Sequence, residues 1–186
     1  LTQSSEMRLF ADSLICKNPS KTKNTGIVGW HSDKAYWPTC SSDKLITVWI
    51  PLQDCTIEMG PLVHIDGSHK WKHEEGLKEF FSFNNQDLNS LQEYLEMKKK
   101  GFSKSYMTLK KGSVSFHSCH TIHSSAPNTS NIPRLALAVH LQDDGNFYKE
   151  SFKENGEKIV IGYDRVCAKD SLGNPDYKDP KIFPKI

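Results

Sequence analysis

The sequence predicts a mainly β domain, a sandwich or barrel of short strands interrupted by one helical insertion at about residues 70–105. Three observations carry this reading. Short runs rich in β-branched and aromatic residues recur along the chain, closed by Gly, Pro, Asn or Asp. One segment, about 86–100, has a helical repeat, with Leu88, Leu91 and Leu95 at i, i+3 and i+7. The length of 186 residues suits a single domain, 1–186, with a sizeable core.

The elements follow in order. Met7 to Lys17 alternates loosely, with Leu9 and Phe10 followed by Leu14 and Ile15, and is expected as the first strand. Residues 18–26 carry Pro, Ser, Asn and Gly and form a loop. Ile27 to Asp33 is short and extended, and Tyr36, Trp37 and Pro38 make a rigid aromatic patch, either core or the wall of a pocket. The run LITVWIPL at 45–52 is the clearest strand. It sets Ile46, Val48 and Ile50 on one face and Leu45, Thr47 and Trp49 on the other, and Pro51 ends it. After a turn over 53–60 the chain returns as a strand at 61–65, then turns tightly at Asp66-Gly67-Ser68-His69.

The insertion comes next. Asn84 or Asn85 is placed to cap the start of its helix and Gly101 its end, and the Lys98-Lys99-Lys100 run reads as a solvated helix terminus. Such an insertion in a strand-rich chain is a candidate lid. Strands are then expected at 106–109, 113–117, 120–126, 134–141 and 158–163. The tail 164–186, rich in Gly, Pro and Asp, is expected to cross the surface without regular structure.

Composition excludes several function classes. The formal net charge is +2, so no basic excess is present to neutralise the phosphates of a nucleic acid. No apolar run approaches the roughly 18–20 residues that span a bilayer. The five cysteines, at 16, 40, 55, 119 and 167, are odd in number and widely spaced, which argues against a disulfide framework or zinc ribbon and for reduced thiols in a cytoplasmic protein. No phosphate loop, nucleophile elbow or dinucleotide fingerprint is present.

The chemistry is expected around Trp30-His31-Ser32-Asp33. In an extended backbone residues i and i+2 point the same way, so His31 and Asp33 can grip one ion. A second cluster follows from the turn around Asn128. If its flanking strands pair about that turn, His123 lies roughly opposite Arg134, with Ser125 on the face of His123. Arg134 shares its face with Ala136 and Ala138, small residues that leave room for a ligand, while Leu135, Leu137, Val139 and Leu141 take the other face. Two His and one Asp would make the 2-His-1-carboxylate triad that leaves positions open at Fe(II). A guanidinium one strand away could hold a dicarboxylate whose other end chelates that iron. His69, His117 and His120 read as structural, and His64, His73 and His140 carry no spacing signal.

Four ordered stretches, WHSDKAYWP at 30–38, TVWIPLQD at 47–54, GPLVHIDGSH at 60–69 and TIHSSAPNTSNIPR at 121–134, give the chain a specific resemblance. With GNPDYKDP at 173–180 they resemble the phytanoyl-CoA dioxygenase (PhyH) family of Fe(II)/2-oxoglutarate-dependent oxygenases, over about residues 7–184. The resemblance implies a double-stranded β-helix, or jelly-roll barrel. It implies a non-haem iron dioxygenase that uses 2-oxoglutarate and O2 to hydroxylate a small molecule or natural product. His31, Asp33 and His123 would be the iron ligands. Arg134 and Ser125 would hold the distal carboxylate of 2-oxoglutarate, Trp49 would line the cosubstrate pocket, and Lys17 would reach it from the preceding strand. Tyr36, Trp37 and the insertion would border the substrate. Halogenating relatives carry Gly or Ala in place of the aspartate, so Asp33 favours hydroxylation. Members usually carry further N-terminal residues, largely helical, and the sequence is expected to lack part of that region. Two other readings stay open: a non-catalytic jelly-roll binding module, and a cupin-like metalloenzyme that does not use 2-oxoglutarate.

Overall fold

The computed structural model describes residues 2–20, 26–71, 93, 96 and 102–186. Eight strands can be followed among them: β1 (Met7–Lys17), β2 (Val28–His31), β3 (Ile46–Pro51), β4 (Leu62–Ile65), β5 (Lys104–Tyr106), β6 (Ser115–Ser118), β7 (His123–Ser125) and β8 (Arg134–Asp143). They form two four-stranded antiparallel sheets, ordered β1-β8-β3-β6 and β2-β7-β4-β5. Most strands alternate between the sheets, which is the double-stranded β-helix that the family resemblance implies. The insertion falls between β4 and β5. Its helical repeat and both proposed caps lie outside the described residues, of which Glu93 and Glu96 are helical. Among the described residues no helix is long and apolar enough to cross a membrane.

Several expectations need correction. The strands flanking Asn128 do not form a hairpin. β7 pairs with β2 and β4, and β8 with β1 and β3, so residues 126–133 cross from one sheet to the other. Asn128 is fully buried in that crossover and donates to the Lys17 and Ile132 carbonyls at 2.9 and 2.8 Å. A short loop rich in Pro and Asn reads the same locally whether it closes a hairpin or changes sheets, so counting residues around it could not reveal the pairing. Residues 158–163 are not a strand. Lys158 makes an isolated bridge to Phe152, and Gly162–Val166 is a short helix, α1. The tail does more than cross the surface, because Tyr177 and Phe183 complete the larger hydrophobic cluster with Phe10, Trp37 and Leu45. Phe10 stacks on Phe183 at 5.6 Å and meets Tyr177 edge-on at 5.8 Å. Burying a side chain of the size of Phe183 contributes roughly 1.5–3 kcal/mol. Asp164 ties the tail down by accepting hydrogen bonds from the Tyr177 hydroxyl at 2.6 Å and the Ile161 amide at 3.0 Å.

β8 sets the character of the barrel. It buries Arg134, Ala136 and Ala138, while Leu135 on the alternate face is 37% exposed. The first sheet therefore turns a polar and small-residue face inward. Lys17 pairs with Arg134, Ala138 with Trp49, and His140 with Thr47, which in turn pairs with His117. Period-two alternation thus stacks two different layers inside the barrel: an imidazole-rich layer at one level and a cationic layer farther along β8.

Candidate metal centre

His31 is the last residue of β2, Ser32 continues extended at φ −112° and ψ 145°, and Asp33 opens a short 3-10 turn over Asp33–Tyr36. The i, i+2 relation therefore holds across Ser32, and both side chains enter the barrel. β7 runs beside β2 with His123 in register with His31. The three side chains each offer a ligand atom, all within 4.8 Å of one another. His123 Nε2 lies 3.6 Å and His31 Nε2 4.0 Å from Asp33 Oδ1. Each imidazole has its Nδ1 against a backbone carbonyl, Gly29 at 2.7 Å for His31 and Thr121 at 2.9 Å for His123. A carbonyl only accepts, so Nδ1 carries a proton in both rings, and Nε2 is the nitrogen that each ring turns to the centre.

The electrostatics suit a cation. Burial acts to raise the Asp33 pKa, but the imidazoles around it, His123 first and then His117 with its hydrogen bond, hold the carboxyl well below the usual carboxylate range. Burial, aided by His31, pushes His123 well below the ordinary imidazole value. One carboxylate thus sits among imidazole nitrogens, which is a donor set for a divalent ion of borderline softness such as Fe(II).

The opposite oxygen of Asp33 is already engaged. Oδ2 accepts a short hydrogen bond from Thr47 Oγ1 and a 3.2 Å bond from His117 Nε2. Thr47 Oγ1 also lies 2.8 Å from His140 Nδ1. His64 stands on the far side of His117, ring centroids 4.7 Å apart, and burial, reinforced by His117, pushes its pKa down to about 4. Sequence reasoning missed Thr47, His117, His140 and His64 as neighbours of the site. Their one available signal was alternation, since Thr47 shares a strand face with Trp49.

The second cluster lies farther down the barrel. Lys17 and Arg134 are side by side on neighbouring strands, 4% and 2% exposed. Lys17 Nζ donates to Ser125 Oγ at 2.5 Å and to the Ala126 carbonyl at 2.6 Å. Arg134 Nη1 donates to the Gly60 carbonyl at 2.7 Å and lies 3.4 Å from Ser125 Oγ. The guanidinium also stands over the Trp49 ring at 5.4 Å. Neither cation is set against a carboxylate among the described residues, and burial followed by the Arg134 charge pushes Lys17 down to about 8. Arg134 Nε, Trp49 Nε1 and Ser115 Oγ are buried without a hydrogen-bond partner among the described residues. The three acceptors of Lys17 Nζ include the Ser125 carbonyl at 3.2 Å, whereas the orphaned Arg134 Nε–H, beside two buried cations without an acid partner among the described residues, fits a carboxylate.

The remaining candidates separate. Tyr36 is half-exposed and meets His31 edge-on at 5.5 Å, at the rim of the site. Trp37 is buried in the main core against Phe10 and touches His140 at 4.8 Å. It backs the site from the core side.

Comparison with known proteins gives the lineage and the fold. The sequence matches the phytanoyl-CoA dioxygenase (PhyH) family over residues 2–136. It is 28% identical to the peroxisomal phytanoyl-CoA dioxygenase of Homo sapiens over 160 residues, 80% of this chain and 44% of that protein, and 26% identical to the Bos taurus enzyme over 175 residues, 84% of this chain and 49% of that one. The chain therefore spans about half the length of these relatives. Among solved structures, the non-heme alpha ketoglutarate dependent carbocyclase SnoK from nogalamycin biosynthesis superposes with a TM-score of 0.69 at 21% identity, covering 97% of this chain and 62% of that one. The epimerase SnoN in complex with Fe3+, alpha ketoglutarate and nogalamycin RO gives 0.66 at 20% identity, covering 97% and 65%. EctD from S. alaskensis gives 0.61 at 22% identity, covering 77% and 48%. These structural likenesses establish the fold, and the sequence match establishes the lineage: the chain belongs to the phytanoyl-CoA dioxygenase family.

Proposed function

We propose that this chain is an Fe(II)/2-oxoglutarate-dependent dioxygenase that hydroxylates a small molecule or natural product. One observation carries the reading: a cation-ready triad and an anion-ready pair of cations occupy successive layers of one barrel. A metal alone would need only the first. A 2-oxo dicarboxylate would join them, held by Arg134 and Lys17 at its far carboxylate.

In this assignment His31, Asp33 and His123 hold the iron through His31 Nε2, Asp33 Oδ1 and His123 Nε2. Arg134, Lys17 and Ser125 bind the distal carboxylate, and Trp49 offers its Nε1–H and a flat wall. When bound, the iron and cosubstrate would supply O2 activation coupled to oxidative decarboxylation of 2-oxoglutarate to succinate and CO2. The protein's part is orientation and exclusion of water, and the burial of Asp33, His123 and Arg134 supports both. Asp33 fills the third ligand position, which favours hydroxylation over halogenation. Tyr36, at the rim beside His31, is the residue we place nearest the substrate.

Support also comes from the relatives, which are named as dioxygenases or alpha ketoglutarate dependent enzymes, two of them from nogalamycin biosynthesis. The deciding experiment incubates the purified chain with Fe(II), 2-oxoglutarate and a metabolite library while succinate is followed. Substrate-stimulated succinate formation is expected. Metal binding without 2-oxoglutarate binding would instead favour a cupin-like metalloenzyme.

A further inference from the structure

The Asp33 carboxylate is held from behind, and the direction of every hydrogen bond that holds it follows from chemistry. An ionised carboxylate only accepts. Both Thr47 Oγ1 and His117 Nε2 must therefore donate to Oδ2. His117 then carries a proton on Nε2, and its buried Nδ1 is without a partner among the described residues. The single Thr47 hydroxyl proton is committed to Asp33, so at 2.8 Å it must accept from His140 Nδ1–H. The chain reads His140 Nδ1–H to Thr47 Oγ1–H to Asp33 Oδ2, with His117 Nε2–H closing from the other side. All three donors come from one sheet, in register: Thr47 on β3 pairs with His140 on β8 and with His117 on β6. The two proposed histidine ligands come from the other sheet, and Asp33 lies between.

We propose that Thr47 and His117, with His140 behind Thr47, are positioning residues that occupy Oδ2 and so commit Asp33 to a one-oxygen contact through Oδ1. The proposal rests on the iron-site reading. Oδ1 is the oxygen that faces His31 Nε2 and His123 Nε2, at 4.0 and 3.6 Å. A carboxylate without this support could rotate and take the ion through both oxygens, which would consume a coordination position that cosubstrate or O2 needs. Outer partners of metal ligands typically matter by about 10–100-fold in metal affinity or activity. Here Thr47 and His117 meet on one oxygen, and His140, 93 positions from Thr47 in the chain, backs the Thr47 hydroxyl.

The test uses the purified chain and Co(II) as a redox-inert probe, titrated calorimetrically, together with the anaerobic visible absorption of the Fe(II)–2-oxoglutarate complex. Thr47→Val keeps the shape and removes the hydroxyl, and Thr47→Ser restores it. His117→Leu removes the donor, and His117→Gln returns an N–H near the Nε2 position. Co(II) affinity is expected to fall about 10–100-fold in Thr47→Val and His117→Leu, and to recover in large part in Thr47→Ser and His117→Gln. The absorption band is expected to shift or weaken in the first pair only. Thermal melts without metal separate a folding defect from a positioning defect. If Val and Ser, or Leu and Gln, behave alike in Co(II) affinity and in the band, the positioning role is overturned. If the parent chain binds no Co(II), the iron-site reading itself fails, a different outcome from a parent that binds while its variants bind equally well.

Discussion

The two polar layers of the barrel are built on opposite logic. In the upper layer one carboxylate, Asp33, is surrounded by imidazoles and has one oxygen fully engaged. In the lower layer two cations, Lys17 and Arg134, lie next to each other without an acid partner among the described residues. Buried charges are normally paired. The upper layer favours a cation and the lower layer an anion, charges of the sign that a divalent metal and one end of a dicarboxylate would bring. The difference teaches why the proposed assignment treats the layers as two halves of one site. Neither half alone specifies an oxygenase, since imidazole-carboxylate clusters and buried arginines each occur in structural roles.

Breaking the upper layer should have the largest effect. Asp33→Ala removes the one carboxylate of the triad. Succinate formation is expected to fall to background and Co(II) binding to be lost, with 2-oxoglutarate no longer protecting the chain in thermal melts. Undiminished succinate release from the iron-loaded variant would sink the assignment.

Breaking the lower layer should weaken cosubstrate binding and leave the metal site intact. Arg134→Ala truncates one partner of a buried ionic contact, a change that typically costs about 2–5 kcal/mol. The 2-oxoglutarate concentration for half-maximal turnover should rise by roughly 30-fold or more, while Co(II) affinity stays close to the parent. An unchanged requirement would place the carboxylate elsewhere.

A subtler change reaches the same layer through the backbone. Gly60 sits at φ +61°, and its carbonyl accepts from both Arg134 Nη1 and Ser125 Oγ, at 2.7 and 2.9 Å. A Cβ there would overlap the Ala126 carbonyl oxygen and come within 2.8 Å of that of Pro127. Gly60→Ala is expected to cost about 1–3 kcal/mol of stability. It should also raise the 2-oxoglutarate requirement several-fold, read by melts and by saturation kinetics. A raised requirement without loss of metal affinity sharpens the division between the layers.

The smallest effect is one of pH. Lys17 is pushed down to about 8, by burial first and then by Arg134, so at pH 9 it is mostly neutral without ligand. A carboxylate beside it favours the ammonium form, so binding draws a proton from solution at that pH. Affinity for 2-oxoglutarate should therefore decline as pH rises above about 8. Calorimetry at pH 9 in two buffers of different ionisation enthalpy should show proton uptake on binding, and Lys17→Met should abolish it.

The local parts of this site were legible. His31 and Asp33 are two residues apart, and any extended path through Ser32 brings them to one side. The strand LITVWIPL follows from its composition and lies within one residue of the observed Ile46–Pro51 at either end. The meeting of Ser125 with Arg134 was anticipated for the wrong reason. It arises across the barrel between two sheets, where a hairpin within one sheet had been expected. Thr47, His117 and His140 were illegible as a group, because each lies on its own strand and only the β6-β3-β8 register aligns them. The tail misled in the opposite sense, since Gly, Pro and Asp around Tyr177 and Phe183 hid two of the most buried rings in the molecule.

What the sequence determined by itself was periodicity and spacing: where the clearest strand runs, which residues alternate along it, and that an imidazole and a carboxylate share one side. Those are properties of a few adjacent backbone dihedrals. The tertiary structure alone decided which face of β8 turns inward, which strands become neighbours, and so which polar groups converge on Asp33 and which surround Arg134. The usual pattern would bury Leu135 and expose Arg134. The barrel reverses it, because in an eight-stranded barrel the inside is not only a core but also the enclosed space where buried charges meet the groups that satisfy them.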